Sequence, residues 1–366
     1  MTDAPLRLSP LHERHVALGA RFGEFGGWSM PLQYSGVLEE HTAVREAVGL
    51  FDVSHLGKAT VSGPGAVHYV NATLSNDLGR VAPGKAQYTL CLDDATGGVV
   101  DDLIAYYRSD DEIFLVPNAA NTAEVVRRLT AEAPAGIAVA DQHEDHVVLA
   151  IQGPRSDEVL AAAGFPVGHG YMSFADAVFE GEHVTVCRTG YTGERGYELV
   201  APASVALSLW DTLSGAGEAF GLVPCGLGAR DTLRTEMGYP LHGQDISLDV
   251  TPVQAGLGWA VGWSKQAFWG RDRVTAEREA GPARVLRGLV AAGRGIPRAH
   301  MTVNGPDGSA AGEITSGTFS PTLKKGVGLA LVDASVPADA EVTVDVRGRL
   351  ETFRLTPPPF VPSHVR

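Results

Sequence analysis

GGVVDDLIAYY, residues 97–107, opens on a glycine turn and runs on as an apolar, strand-like stretch interrupted by two adjacent carboxylates, Asp101 and Asp102. Val, Ile and Tyr suit a pleated strand and Asp does not. A carboxylate buried there without a partner is costly or shifts its pKa, so an acid in this place needs an explanation. Side chains alternate along a strand, so Asp102, Ile104 and Tyr106 share one face while Asp101, Leu103, Ala105 and Tyr107 share the other. Only one acid can look into a given pocket, and it brings a tyrosine with it. The plainer alternative is a turn at Gly97 and Gly98 that opens the strand with two solvated acids.

Working outward, YTLCL (88–92) and EIFLV (112–116) have the same composition and are set off by turn residues, which predicts antiparallel strands. Upstream, Leu11, His15, Leu18 and Phe22 predict a helix over about 10–21, and Val37, Leu38, Val44 and Val48 predict another over 36–48. Between them lies the aromatic, glycine-punctuated FGGWSMPLQY, and GLFDVSHLGKATVSG after them is strand-like. NAANTAEVVRRLTAEA is a predicted helix with an asparagine cap. A second strand series runs from HVVLAIQGP to VTVCRTGYTGERGYELVAP, and ASVALSLWDTLSGAGEAF and GLGARDTLRTEMG are predicted helices. From about Ala283 onward short strands, many glycines and the proline-rich TPPPFVPSHVR predict a small C-terminal β-domain, with KQAFWGRDRVTAEREAGPA as the linker.

The 366 residues, 44% hydrophobic, suit two or three domains, and the net charge of −14 argues against a nonspecific nucleic-acid binder. Three cysteines, Cys91, Cys187 and Cys225, show no CxxC spacing and predict a reducing compartment without disulfides or zinc. His55 of FDVSHLG and His242 of YPLHGQD stand alone, so no metal site is expected. No signal peptide and no membrane span is legible, which predicts a soluble, cytoplasmic protein. GxSxG and P-loop motifs are absent.

Two further stretches offer chemistry. RTGYTGERGYEL, residues 188–199, wraps three glycines around a tight loop and ends in a strand where Glu198 lies between Tyr197 and Leu199. An acceptor-only carboxylate there matches a pair of adjacent N–H donors, such as the amino-pyrimidine edge of a guanine or pterin; a hairpin with a solvated Glu is the alternative. GLGARDTLR sets Arg230 and Arg234 one helical turn apart, able to hold a substrate carboxylate together or to pair with Asp231 or Glu236. Lys324 and Lys325 read as a solvated turn.

Taken in order, FGGWSMPLQY, VGLFDVSHLGK, GKAQYTLCL, GGVVDDLIAYY, PNAAN, IQGP, RTGYTGERGYEL, GLGARDTLR, YPLHGQD and GEITSGTFSPTLKKGVGLALV resemble the folate-dependent aminomethyltransferases, the T-proteins of the glycine cleavage system. The resemblance implies an α+β fold of three domains arranged as a clover leaf around a central folate pocket: 1–54 with 140–250, 55–139 with 251–280, and a C-terminal β-barrel over 281–366. It implies tetrahydrofolate as co-substrate and lipoylated H-protein as partner, with transfer of a methylene group to give 5,10-methylenetetrahydrofolate and ammonia. By motif, Asp102 is the implied catalytic acid. Tyr88, Tyr106, Asn118, Tyr191, Glu198, Arg230 and Tyr239 are implied folate contacts, and the C-terminal Arg366, in a poorly matching tail, is one more. Folate-dependent demethylases share this scaffold. So do non-catalytic folate-binding relatives, whose KGCYTGQE-like motif differs from RTGYTGERGYE in carrying a cysteine.

Overall fold

The computed structural model describes residues 5–366, which build four sheets. The strand quoted above is Val99–Ser109, flanked by Lys85–Leu92 and Glu112–Val116 in a five-stranded antiparallel sheet completed by Ala59–Ser62 and Ala138–Asp141. Alternation holds as expected. Leu103, Ala105 and Tyr107 enter one apolar cluster, with Cys91, Ile113 and Leu115. Tyr106 enters another with Phe114 and Ala119, and Ile104 packs against it. The strand outruns its neighbour: Ile104 pairs with Val116, where Glu112–Val116 ends, so Asp101 and Asp102 lie past the last paired residue. The following turn, residues 117–121, fills that gap with amide donors. Where the turn at Gly98 packs, a Cβ would come within 1.8 Å of the Leu248 carbonyl oxygen, so only glycine fits.

A six-stranded sheet runs Phe174–Phe179, Glu182–Cys187, Gly196–Pro202, His146–Gln152, Val48–Asp52, Leu222–Cys225. Its neighbours are antiparallel except the last pair, and helices Ser156–Ala162 and Ala206–Gly217 cover one face. A closed barrel of Arg284–Ala291, Lys325–Asp333, Ala310–Ser320, Thr302–Asn304, Glu341–Asp345 and Leu350–Thr356 forms the expected C-terminal β-domain. The fold class is thus α+β with a terminal barrel.

Several local expectations change. The first helix is shorter than 10–21: it spans His12–Ala17, because Gly19 adopts φ +75° and turns the chain into strand Arg21–Phe25. FGGWSMPLQY is one side of a hairpin, in which Gly26 and Gly27, both at positive φ, join that strand to Trp28–Gln33. Asn121 precedes helix Thr122–Ala131 but does not cap it; its side-chain amide is committed elsewhere. The expected linker is packed structure: Trp269 donates to Glu132 at 2.8 Å, and helix Arg271–Ala280 buries Val274. Among the described residues no helix is long and apolar enough to cross a membrane.

Candidate active site

The two acids are not solvated. Asp101 is fully buried, and its carboxylate accepts from the Asn118 backbone N–H (3.0 Å), the Asn118 side-chain amide (2.9 Å) and Asn121 (2.7 Å). Asn121 also lies 3.0 Å from His242 Nδ1; the other ring nitrogen, Nε2, is 3.0 Å from the Val99 carbonyl and donates to it, so Nδ1 accepts from Asn121. Asp102 is half-buried on the opposite face, where Tyr88 donates to Oδ2 at 3.0 Å and Asn118 to Oδ1 at 2.8 Å. Burial pushes both carboxyls above the usual carboxylate range. For Asp101 the adjacent Asp102 charge adds to the rise; for Asp102 the Tyr88 bond, the nearby His242 ring and the Asn118 bond oppose it. No lysine or arginine pairs with Asp102 among the described residues, so its donors are neutral.

From the same face as Asp102, Tyr106 reaches the six-stranded sheet. Its hydroxyl lies 3.1 Å from Thr189 Oγ1, which donates to Glu198 Oε2 at 2.5 Å. Glu198 stands on strand Gly196–Pro202 opposite Cys187 and Ala150, half-buried rather than solvated. Burial raises its carboxyl, with the Thr189 bond and the Arg230 charge opposing. Its second oxygen has no protein donor among the described residues. Arg230, on helix Leu227–Glu236, stacks over the Tyr191 ring at 4.3 Å with no carboxylate paired to it among the described residues. Tyr191 donates to the Pro240 carbonyl at 2.5 Å and packs 5.7 Å from the Tyr239 ring. Burial raises the Tyr191 phenol, with the Arg234 and Arg230 charges opposing and the Asp102 charge adding to the rise.

Of the two alternatives for Arg230 and Arg234, Arg234 follows the second, pairing with Asp231. Arg234 is buried and bound to Asp231 (2.7 Å) and Asp245 (2.8 Å), with Ser316 of the barrel 3.0 Å away, so it ties the helix to the barrel and leaves Arg230 alone. Arg366 is exposed; its charge reaches Tyr171, a phenol that also feels Glu198. Its tail is fixed to the 188–196 loop, since His364 N–H donates to the Gly193 carbonyl (2.7 Å) and Arg188 to the Val365 carbonyl (2.7 Å). Sequence reasoning missed Trp259, which is 63% exposed and stacked on Tyr88 at 5.1 Å beside Asp102. It also missed His242, whose partners are distant in sequence, and Thr189, which bridges Glu198 of its own loop and strand to the distant Tyr106. Glycines around Trp259 were the one local signal of an aromatic left at a surface.

An acid held by neutral donors, aromatic faces and a guanidinium without a paired carboxylate among the described residues thus stand on the two sheets and the helix Leu227–Glu236. The sequence matches the GCVT N-terminal domain over residues 11–265 and the glycine cleavage T-protein C-terminal barrel domain over 284–362. It is 64% identical over 363 residues to an aminomethyltransferase of Parafrankia sp. (strain EAN1pec), covering 99% of both chains. It is 58% identical over 366 residues to one from Mycobacterium avium (strain 104), covering 100% of this chain and 99% of that one. The crystal structure of glycine cleavage system aminomethyltransferase T from Bartonella henselae superposes with a TM-score of 0.93 at 34% identity, over 98% of this chain and 99% of that one. The chain belongs to the glycine cleavage T-protein family of aminomethyltransferases.

Proposed function

We infer that this chain is the aminomethyltransferase of a glycine cleavage system. It takes the aminomethyl group carried on the lipoyl arm of H-protein and passes its methylene carbon to tetrahydrofolate. The products are 5,10-methylenetetrahydrofolate, ammonia and dihydrolipoyl H-protein. The observation that carries the reading is the half-buried Asp102 carboxylate, held on both oxygens by neutral donors, Tyr88 and Asn118, with no lysine or arginine paired to it among the described residues. Such an acid is free to face a positive charge that develops during reaction, and its raised pKa brings proton exchange nearer neutrality.

The remaining residues fit tetrahydrofolate. Glu198 keeps one oxygen without a protein donor, as the paired N–H edge of a pterin requires. Arg230 lacks a protein carboxylate and suits the glutamyl end, with Tyr191 and Tyr239 beside it. Tyr88, paired across the sheet with Ile104, and Tyr106 lie on the Asp102 face of the sheet, and Arg366 adds a cation at the tail. Tetrahydrofolate supplies the amine that receives the carbon. Asp102 orients that amine, stabilises the iminium-like carbon as ammonia leaves and is placed to take a proton; Asn118 and Tyr88 hold the carboxylate in one orientation. The proposed domains are 1–54 with 140–250, 55–139 with 251–280, and the barrel of 281–366, in a clover leaf; the six-stranded sheet draws its strands from the first pair of segments, while strand Ala138–Asp141 of the five-stranded sheet runs across the 139/140 boundary. Three buried, unpaired cysteines accord with a cytoplasmic setting.

Incubation with aminomethylated H-protein and tetrahydrofolate tests the reading. Formation of 5,10-methylenetetrahydrofolate, with none from sarcosine or dimethylglycine, is the expected result. Turnover of the methylated amines without turnover of H-protein would reassign the chain to the demethylases of the same scaffold.

A further inference from the structure

His55, in the FDVSHLG stretch that the proposed reaction does not use, is 1% exposed, and neither ring nitrogen has a hydrogen-bond partner among the described residues. In the other histidines with a buried orphaned nitrogen, His12, His146 and His169, only Nδ1 is both buried and without a partner. A buried polar atom without a partner gives up its hydration for nothing, so two of them on one ring call for a ligand.

The ring's position says which one. His55 is held by its backbone: its carbonyl accepts from His143 Nε2 at 2.8 Å, and two residues on, Gly57 N–H donates to the Pro117 carbonyl at 2.8 Å, next to Asn118. Phe25 packs edge-on to the imidazole at 5.2 Å. Leu56 and Phe25 both pack on the apolar cluster that contains Tyr106, Ala119, Leu227 and Ala229, so the ring lies among the elements that carry Asn118 and Arg230. Burial, and then the Arg230 guanidinium, pull the imidazole down to about 3, which keeps it neutral with one donor and one acceptor nitrogen.

We propose that His55 is a further ligand-binding residue of the folate pocket, its imidazole hydrogen-bonding a polar group of bound tetrahydrofolate on the Arg230 side. The proposal rests on the folate reading above. A protonated ring would repel Arg230; a neutral one can share with it a carbonyl or carboxylate of the ligand.

His55→Phe keeps the ring and removes both nitrogens, and His55→Gln restores a donor and an acceptor. Tetrahydrofolate affinity is measured by equilibrium titration, alongside thermal unfolding without folate. We expect His55→Phe to melt at or above the wild-type temperature, since it deletes orphaned polar atoms, yet to bind tetrahydrofolate at least tenfold more weakly, with His55→Gln recovering part of the loss. A folded His55→Phe protein with wild-type affinity would overturn the proposal. If that variant does not fold, ring ¹⁵N resonances of the ¹⁵N-histidine-labelled wild type decide: a His55 signal that moves on adding tetrahydrofolate supports the proposal, and one that stays overturns it. Wild type that binds no tetrahydrofolate would overturn the folate reading as a whole.

Discussion

At the scale of single residues, Asp101 and Asp102 take different parts because one step along a strand turns the side chain over. Asp101 is enclosed by amides of Asn118 and Asn121 and shapes the turn; Asp102 keeps a half-open face beside Tyr88. That separation was legible in the sequence from alternation alone, but which acid faces the pocket was not, because the answer depends on a turn that fills in beyond the neighbouring strand. Glu198 was legible as an acceptor in an apolar strand, whereas its donor Thr189 was hidden inside a glycine loop. The same logic gives a prediction. Replacing Glu198 by Ala removes the only acceptor proposed for the pterin edge, so tetrahydrofolate affinity should fall ~100-fold or more, as for other sites that lose a charged hydrogen-bond partner to a polar ligand edge. Unchanged affinity in a calorimetric titration would reject the role.

At the scale of elements, apolar patterning predicted the strands around Asp102 and the helices carrying Val44 and Trp210, and Ala, Arg and Leu content the helix carrying Arg230; local reading failed where a tertiary bond outweighed a local preference. Asn121 has the residue type of a helix cap and spends its amide on Asp101 and His242 instead. Arg234 has the spacing to join Arg230 and is claimed by Asp245 of a following turn. The C-terminal tail is the clearest case. Its sequence matches the family poorly, yet its backbone holds the loop of residues 188–196 through His364 and Arg188. Deleting residues 364–366 removes those bonds without touching a barrel strand, the last of which is Leu350–Thr356. The expected outcome is several-fold weaker tetrahydrofolate binding and faster proteolysis within the loop, at an almost unchanged melting temperature. Equal protease sensitivity of the full and shortened chains would count against the tail's holding role.

At the scale of the whole molecule, Glu236 joins three parts. It accepts from Ser320 (2.5 Å) and Thr322 (2.9 Å) of the barrel side and from Arg45 (2.8 Å) of helix Val37–Glu46, with His41 Nε2 3.3 Å away. Burial alone would raise its carboxyl, but the His41, Ser320 and Arg45 interactions outweigh it and hold it at about 2. A carboxyl held below its unfolded value contributes stability that is complete above about pH 4.5 and lost as pH falls toward 2, here ~3 kcal/mol by linkage. Asp52, likewise held at about 2 by bonds from His15, Ser54 and Ser9 against its burial, adds to the loss in the same window. Melting temperature should therefore drop steeply between about pH 4.5 and 2, and Glu236→Gln should melt lower at pH 7 with a shallower drop. An unaltered slope would show that this joint does not carry the acid sensitivity.

Of all these residues Asp102 carries the proposed reaction, and the most direct measurement is of its Asn variant: turnover of aminomethylated H-protein to 5,10-methylenetetrahydrofolate, with tetrahydrofolate affinity taken on the same sample. The account predicts turnover lower by ~100-fold or more, the scale of losing a positioned charge or proton acceptor, with affinity changed far less. Near-normal turnover by a folded, folate-binding Asp102→Asn protein would contradict it.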